Sequence, residues 1–248
     1  METDPTAETL APESQPLRRL KLPAAPVVGV YGLIAVCLVV YVVDALSEKA
    51  LMMWGAVLPG LVLRYGQVWR LLSAGFLHWD LQHLVFNLWA LYVLGRDAER
   101  LYGTGRFLIG YLVALLAGNI LVVGLSPMES ATAGASGAIL GIAGLLIVYF
   151  YFQRRLFSTR EALSSLGRMV AINLLIGLLP GISLWGHLGG FIGGVLAGLV
   201  LYPRYALEET DAWTVTLRVL PLSGQQWAYL GALAMGLAGS LGFILVVR

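Results

Sequence analysis

Residues 186–198 read Gly186-His187-Leu188-Gly189-Gly190-Phe191-Ile192-Gly193-Gly194-Val195-Leu196-Ala197-Gly198, the middle of an apolar stretch that carries one imidazole near its start. At about 100° per residue, His187, Gly190, Gly194 and Gly198 fall on one narrow helical face. Small residues let membrane helices approach closely, so this face predicts a helix pressed against a neighbour. An ionisable side chain inside such a span marks a functional site by default.

About fifty residues earlier, Gly134-Ala135-Ser136-Gly137 opens a second apolar segment, with Gly137, Gly141 and Gly144 on a face adjoining Ser136. Two glycine stripes of this kind, packed together, bring the Ser136 hydroxyl and the His187 imidazole within hydrogen-bond reach.

The rest of the chain sets these two segments in a bilayer. Of its 248 residues, 58% are hydrophobic and 12% charged, against about 25% charged in an ordinary soluble domain. Seven apolar segments are long enough to span, near 26–46, 79–95, 106–125, 134–152, 166–181, 184–202 and 226–247. Pro180-Gly181 with Ser183 divides the fifth from the sixth and leaves the fifth short. Twelve of the 16 Lys and Arg fall before span one or between spans two and three, four and five, and six and seven. The positive-inside rule then puts the N-terminus in the cytoplasm and the C-terminus outside.

Residues 1–25 are expected to form a disordered cytosolic tail, and span one a retained signal anchor. Residues 203–225 are expected to form a cytosolic linker, and 226–248 to hold the last span. The outer connector from Ser47 to about His78 carries Tyr65, Trp54, Trp69 and Phe76, which favour the interface. It is expected to contain short interfacial helices around a Pro59-Gly60 turn. Cys37 is the only cysteine, which excludes an intrachain disulfide and a thiolate metal cluster. No cofactor, no metal and no nucleic-acid partner is expected, and oligomeric state is left unassigned.

Span two begins His78-Trp79-Asp80-Leu81-Gln82-His83-Leu84-Val85-Phe86-Asn87. His83 and Asn87, four apart, share a helical face. Spans two, four and six all enter from outside, so His83, Asn87, Ser136 and His187 should share a depth of one to two turns. Serine is a weak nucleophile until a base takes its proton, and imidazole does this near neutral pH. The oxyanion so formed needs preorganised donors, which the Asn87 amide, a His83 N–H and the Ser136 backbone N–H can supply. No acid lies within the spans that carry the pair, which points to a dyad. His78 is expected to be an interfacial structural residue, Ser240 a back-bonded one, and Asn119 and Asn173 to make interhelical hydrogen bonds.

These residues resemble the rhomboid family of intramembrane serine proteases. Gly134-Ala135-Ser136-Gly137 is similar to its GxSG, with Ser136 as nucleophile. Gly186-His187 with Gly190 and Gly194 resembles AHxxGxxxG, with His187 as base and Gly186 where Ala is usual. His83 to Asn87 matches HxxxN, whose His and Asn are implied to line the oxyanion hole. Trp69-Arg70 resembles the WR pair of the first outer loop, and Gly95, Glu99 and Gly103 a G-E-G pattern after span two. Leu140 stands where some members carry a Tyr that stacks on the histidine.

The resemblance covers residues 26–202. It implies an all-α membrane protein, a six-helix catalytic core plus a seventh transmembrane helix, a 6+1 arrangement. It also implies an endopeptidase that cuts transmembrane segments of other membrane proteins near their outer end. The short span five or the outer loop is expected to move to admit substrate. The alternative is a catalytically weak or inactive rhomboid-like chaperone or quality-control binder. A transporter would show inverted repeats or midspan acids, and neither is present in the sequence. A bacterial or archaeal inner membrane is the expected location.

Overall fold

The computed structural model describes residues 19–21, 26–154, 158–211 and 214–248, and the chain divides into two units. The larger unit, residues 24–203 with 221–248, contains ten α-helices among its described residues. They are α1 (Val28–Leu46), α2 (Ala50–Gly55), α3 (Pro59–Tyr65), α4 (Arg70–Ser73), α5 (Leu81–Tyr102), α6 (Thr104–Leu125), α7 (Ser136–Gln153), α8 (Arg160–Ile176), α9 (Leu184–Leu201) and α10 (Gly224–Val247). Five of them, α1, α6, α7, α9 and α10, are long and apolar enough to cross a membrane. The chain is a mostly helical membrane protein, and its larger unit has the all-α membrane fold expected from the sequence. The other two expected spans correspond to α5 and α8, which carry charge toward one end.

Both of those helices differ from their expected bounds for local reasons. α5 runs past residue 95 through Arg96, Asp97, Glu99 and Arg100 and stops at Gly103, whose φ of +80° ends it. A side chain there would be strained, and α6 begins at the next residue. α8 starts at Arg160 and ends at Ile176 rather than spanning 166–181. Pro180 lacks an N–H and disfavours helix at the residue before it, and Gly181 turns the chain with φ +84°.

α9 packs against both α6 and α7 and meets both through glycine. A Cβ on Gly190 would fall on the Gly137 carbonyl oxygen, and one on Gly194 on the Gly141 carbonyl oxygen. On the α6 side, a Cβ on Gly189 would lie 2.8 Å from the Ala117 carbonyl oxygen, and one on Gly193 2.6 Å from the Ala117 Cβ. The helices therefore touch backbone to backbone. Lipid tails are as apolar as leucine, so such contact, and not water exclusion, holds membrane helices together.

Polar side chains close the ends of this bundle. The buried Glu99 carboxylate accepts from the Gly29 and Val30 N–H groups at 2.7 and 2.8 Å and from the Thr104 hydroxyl at 2.7 Å. One side chain thus caps the start of α1, where orphan donors need a partner, and ties it to α5 and α6. The Gln226 amide donates to the Val200 and Tyr202 carbonyls at 2.9 and 3.1 Å, fixing the start of α10 to the end of α9. The Arg248 guanidinium donates to the Val123 and Ser126 carbonyls, each at 2.6 Å, fixing the end of α10 to the end of α6. Between those ties, Ser240 bonds back to the Gly236 carbonyl at 2.8 Å.

The connector from Ser47 to His78 holds α2, α3, α4 and a 3-10 turn at Ala74–Phe76. Pro59 does not make a turn with Gly60; it occupies the first turn of α3, where its missing N–H costs nothing. The buried Arg70 guanidinium bonds Gln67 Oε1 at 2.7 Å and the Met53 and Ala56 carbonyls at 3.0 and 2.7 Å. Trp69 stacks on Trp54 with ring centroids 5.6 Å apart.

The smaller unit is a three-stranded sheet of β1 (Arg19–Lys21), β2 (Tyr205–Asp211) and β3 (Thr214–Val219), in the order β1-β3-β2. β1 runs parallel to β3 with Arg19 opposite Thr214, and β2 runs antiparallel to it with Tyr205 opposite Val219. The segment 203–225, read from sequence as a linker, therefore holds a hairpin. Its signal is the β-branched alternation Thr214-Val215-Thr216. Apart from residues 19–21, the expected 1–25 tail lies outside the described residues.

Gly194→Val should destabilise the protein by more than about 3 kcal/mol, because no flexible atom on Gly141 can yield. Gly239→Ala on α10, with nothing near its Cβ position, should leave stability unchanged or raise it by up to about 1 kcal/mol. Reversible unfolding in mixed micelles distinguishes the two.

Candidate active site

Ser136 is the first residue of α7, so its N–H, like those of Gly137 and Ala138, has no partner one turn earlier in the helix. The connector before it is held by the Ser47–His78 segment. The Gly134 N–H donates to the Ala74 carbonyl at 2.9 Å, and Val57 and Thr132 exchange backbone hydrogen bonds at 2.9 and 2.8 Å. His187 lies in the first turn of α9, capped by the Ser183 hydroxyl, which accepts from the Gly186 N–H at 3.1 Å.

The glycine contacts bring these two helix starts together. The His187 Nε2 lies 2.9 Å from the Ser136 Oγ, and its Nδ1 lies 3.1 Å from the Asn173 carbonyl oxygen of α8. A carbonyl only accepts, so Nδ1 carries the ring proton and Nε2 is left to accept from the serine hydroxyl. Tautomer and orientation are set by a main-chain atom, with the imidazole buried. The Asn173 side chain is not interhelical as expected; it donates to Met169, one turn back in α8, at 2.8 Å.

His83 and Asn87 sit one turn apart on α5. The His83 ring rests against Gly134: a Cβ there would lie 2.7 Å from Cε1 and 2.8 Å from Nε2. Gly134 also has φ +131°, a conformation that side chains rarely adopt. The Asn87 amide is buried and donates to the His83 carbonyl at 2.9 Å. Among the described residues its other amide hydrogen makes no hydrogen bond. Leu140 is buried beneath Ser136 on α7, so His187 is held by the Asn173 carbonyl and not by an aromatic stack. Asn119 bonds out of its helix as expected, donating to the Leu71 carbonyl of α4 at 2.7 Å.

A family model described as Rhomboid domain matches residues 65–204, more than half of the chain and both helix starts of the site. The chain belongs to the rhomboid family. It is 38% identical over 156 residues to Rhomboid protease GluP of Bacillus subtilis (strain 168), covering 62% of this chain and 30% of that protein. It is 33% identical over 178 residues to RHOMBOID-like protein 4 of Arabidopsis thaliana, covering 64% and 45%. With Rhomboid-type serine protease 2 of Emericella nidulans it shares 33% identity over 147 residues, 58% and 29% of the two chains. The rhomboid chain described here thus spans between about a third and a half of the length of these relatives.

Two features of this candidate site could not be read from the sequence. The Asn173 carbonyl is a backbone atom, and any residue at 173 would present one. The contact between the His78 and His83 rings, 5.1 Å apart at their centroids, depends on the turn that precedes α5. Within the described residues no group of three or more His, Cys, Asp or Glu side chains is gathered as a metal site.

Gly134→Ala should cost about 2 kcal/mol or more, from strain at positive φ and overlap with the His83 ring. Adding His83→Ala should recover about 1 kcal/mol of that loss, because the overlap is then gone. Unfolding of the two single variants and the double variant measures the recovery.

Proposed function

We propose that this protein is an intramembrane serine endopeptidase that cuts transmembrane segments of other membrane proteins near their outer end, with Ser136 as nucleophile and His187 as general base. The observation that carries the reading is the 2.9 Å approach of Nε2 to Oγ on an imidazole whose Nδ1 faces a carbonyl. A serine base must present an unprotonated nitrogen to the hydroxyl, and this arrangement supplies one.

The steps follow from the groups available. As Oγ attacks the scissile carbonyl carbon, its proton passes to Nε2 and the C=O electrons move onto oxygen. The resulting oxyanion takes hydrogen bonds from the Ser136 N–H, the free Asn87 amide hydrogen and the His83 imidazole. Collapse breaks the C–N bond, and His187 returns the proton to the leaving amine. Water then loses a proton to His187 and attacks the acyl carbon; collapse breaks the C–O bond to Ser136, whose Oγ takes the proton back from Nε2. Helical hydrogen bonding hides a scissile carbonyl, so substrates with Gly or other helix-weakening residues there are favoured.

The bilayer is the working environment, with the start of the chain on the cytoplasmic side and its end outside. Twelve of the 16 basic residues lie on the side this orientation makes cytoplasmic. Single cysteines at Glu129 and Ser158, in a Cys37→Ala background, should react with an impermeant maleimide from opposite faces of sealed vesicles. Labelling of both from one face would reject the orientation.

Wild type should react with a fluorophosphonate and release the ectodomain of a reconstituted single-span substrate. Ser136→Ala and His187→Ala should each lower cleavage by at least about 10³-fold. A wild type that neither labels nor cleaves in bilayers would instead support the inactive, chaperone-like alternative.

A further inference from the structure

We propose that His78 is a positioning residue for the oxyanion site, its ring holding the His83 imidazole against Gly134; the inference rests on the protease reading above. His78 is 1% exposed, in the short link between the Ala74–Phe76 turn and α5. The Phe76 carbonyl lies beside its ring, yet neither ring nitrogen makes a well-formed hydrogen bond to a described residue. Leaving a buried polar group unsatisfied costs about 1–3 kcal/mol, so space-filling alone favours an apolar side chain.

What the ring does touch is His83, at 5.1 Å between centroids and 65° between planes, an edge-to-face arrangement. The His83 ring thus meets both the His78 ring and the Gly134 backbone. Both contacting residues are tied to the same 3-10 turn: the Ala74 carbonyl accepts from the Gly134 N–H, and His78 follows the turn by two residues. Burial, together with the neighbouring His83, pushes the His78 pKa down to about 4. It is thus neutral at pH 7 and places no positive charge beside a donor.

The test is a double-mutant cycle on His78 and His83, reading kcat and KM for a reconstituted substrate per fluorophosphonate-titrated Ser136. His78→Leu, which keeps apolar volume without a ring, and His78→Ala should each lower kcat by about tenfold or more, leaving KM within about twofold. His78→Phe should restore kcat to within about threefold of wild type, since the ring contact is kept. In a His83→Ala background, His78→Leu should cost less than about twofold further, because its effect runs through the missing ring. Additive losses, an unchanged kcat in the ringless variants, or a His78→Phe variant as slow as His78→Leu would each overturn the positioning role alone. A wild type that cleaves nothing would overturn the protease reading and this one together.

Discussion

The backbone contact of α9 with α6 and α7 is the constraint on which everything else depends. Gly190 and Gly194 press on the carbonyls of Gly137 and Gly141, while Gly189 and Gly193 press on α6. No side chain intervenes, so the separation of α7 and α9 is fixed by van der Waals radii and not by rotamers. Ser136 and His187 sit at the ends of these same two helices, one at the start of each. A hydrogen bond of 2.9 Å tolerates little displacement, and a backbone-limited interface supplies that tolerance without strain in the site.

An apolar bundle in lipid must also satisfy its helix ends, and it does so with few charged or amide groups, each given several partners. Glu99 serves three donors from two helix starts. Arg70 folds the first connector around itself, and that connector in turn holds the residues leading to Ser136. Gln226 and Arg248 tie α10 to the carbonyl ends of α9 and α6. These are charge-assisted or buried bonds, the kind whose loss is expensive where no water can substitute. The polar residues outside the site thus act mainly on helix termini.

The orientation of His187 comes from a third helix. Because its Nδ1 faces the Asn173 carbonyl near the end of α8, the tautomer that leaves Nε2 free toward Ser136 is favoured by a contact between α8 and α9. α8 is short, ends at the Gly177–Pro180 turn and leaves Leu175, Leu178 and Leu179 exposed. Any motion of that end is felt directly at the imidazole. An acid in a triad would fix the ring through a side chain of its own; here the fold supplies the acceptor.

Much was legible in the chain because the bilayer restricts what a sequence can do. Apolar runs had to be helices, the i, i+4 glycine spacing had to be a contact face, and one serine and one histidine near the starts of two such runs were expected to meet. Charge near 96–100 and the proline at 180 moved two helix ends, effects local to those residues. The β2–β3 hairpin was hidden in a segment read for charge alone, although its alternation was present. What only the tertiary structure decided were contacts made by groups that every residue has or that depend on one turn's geometry. The Asn173 carbonyl on His187 and the contacts of His83 with His78 and Gly134 are of this kind. Side-chain type and period are written in sequence, whereas the meeting of a backbone oxygen or a ring with its partner is set by how three helices close around glycine.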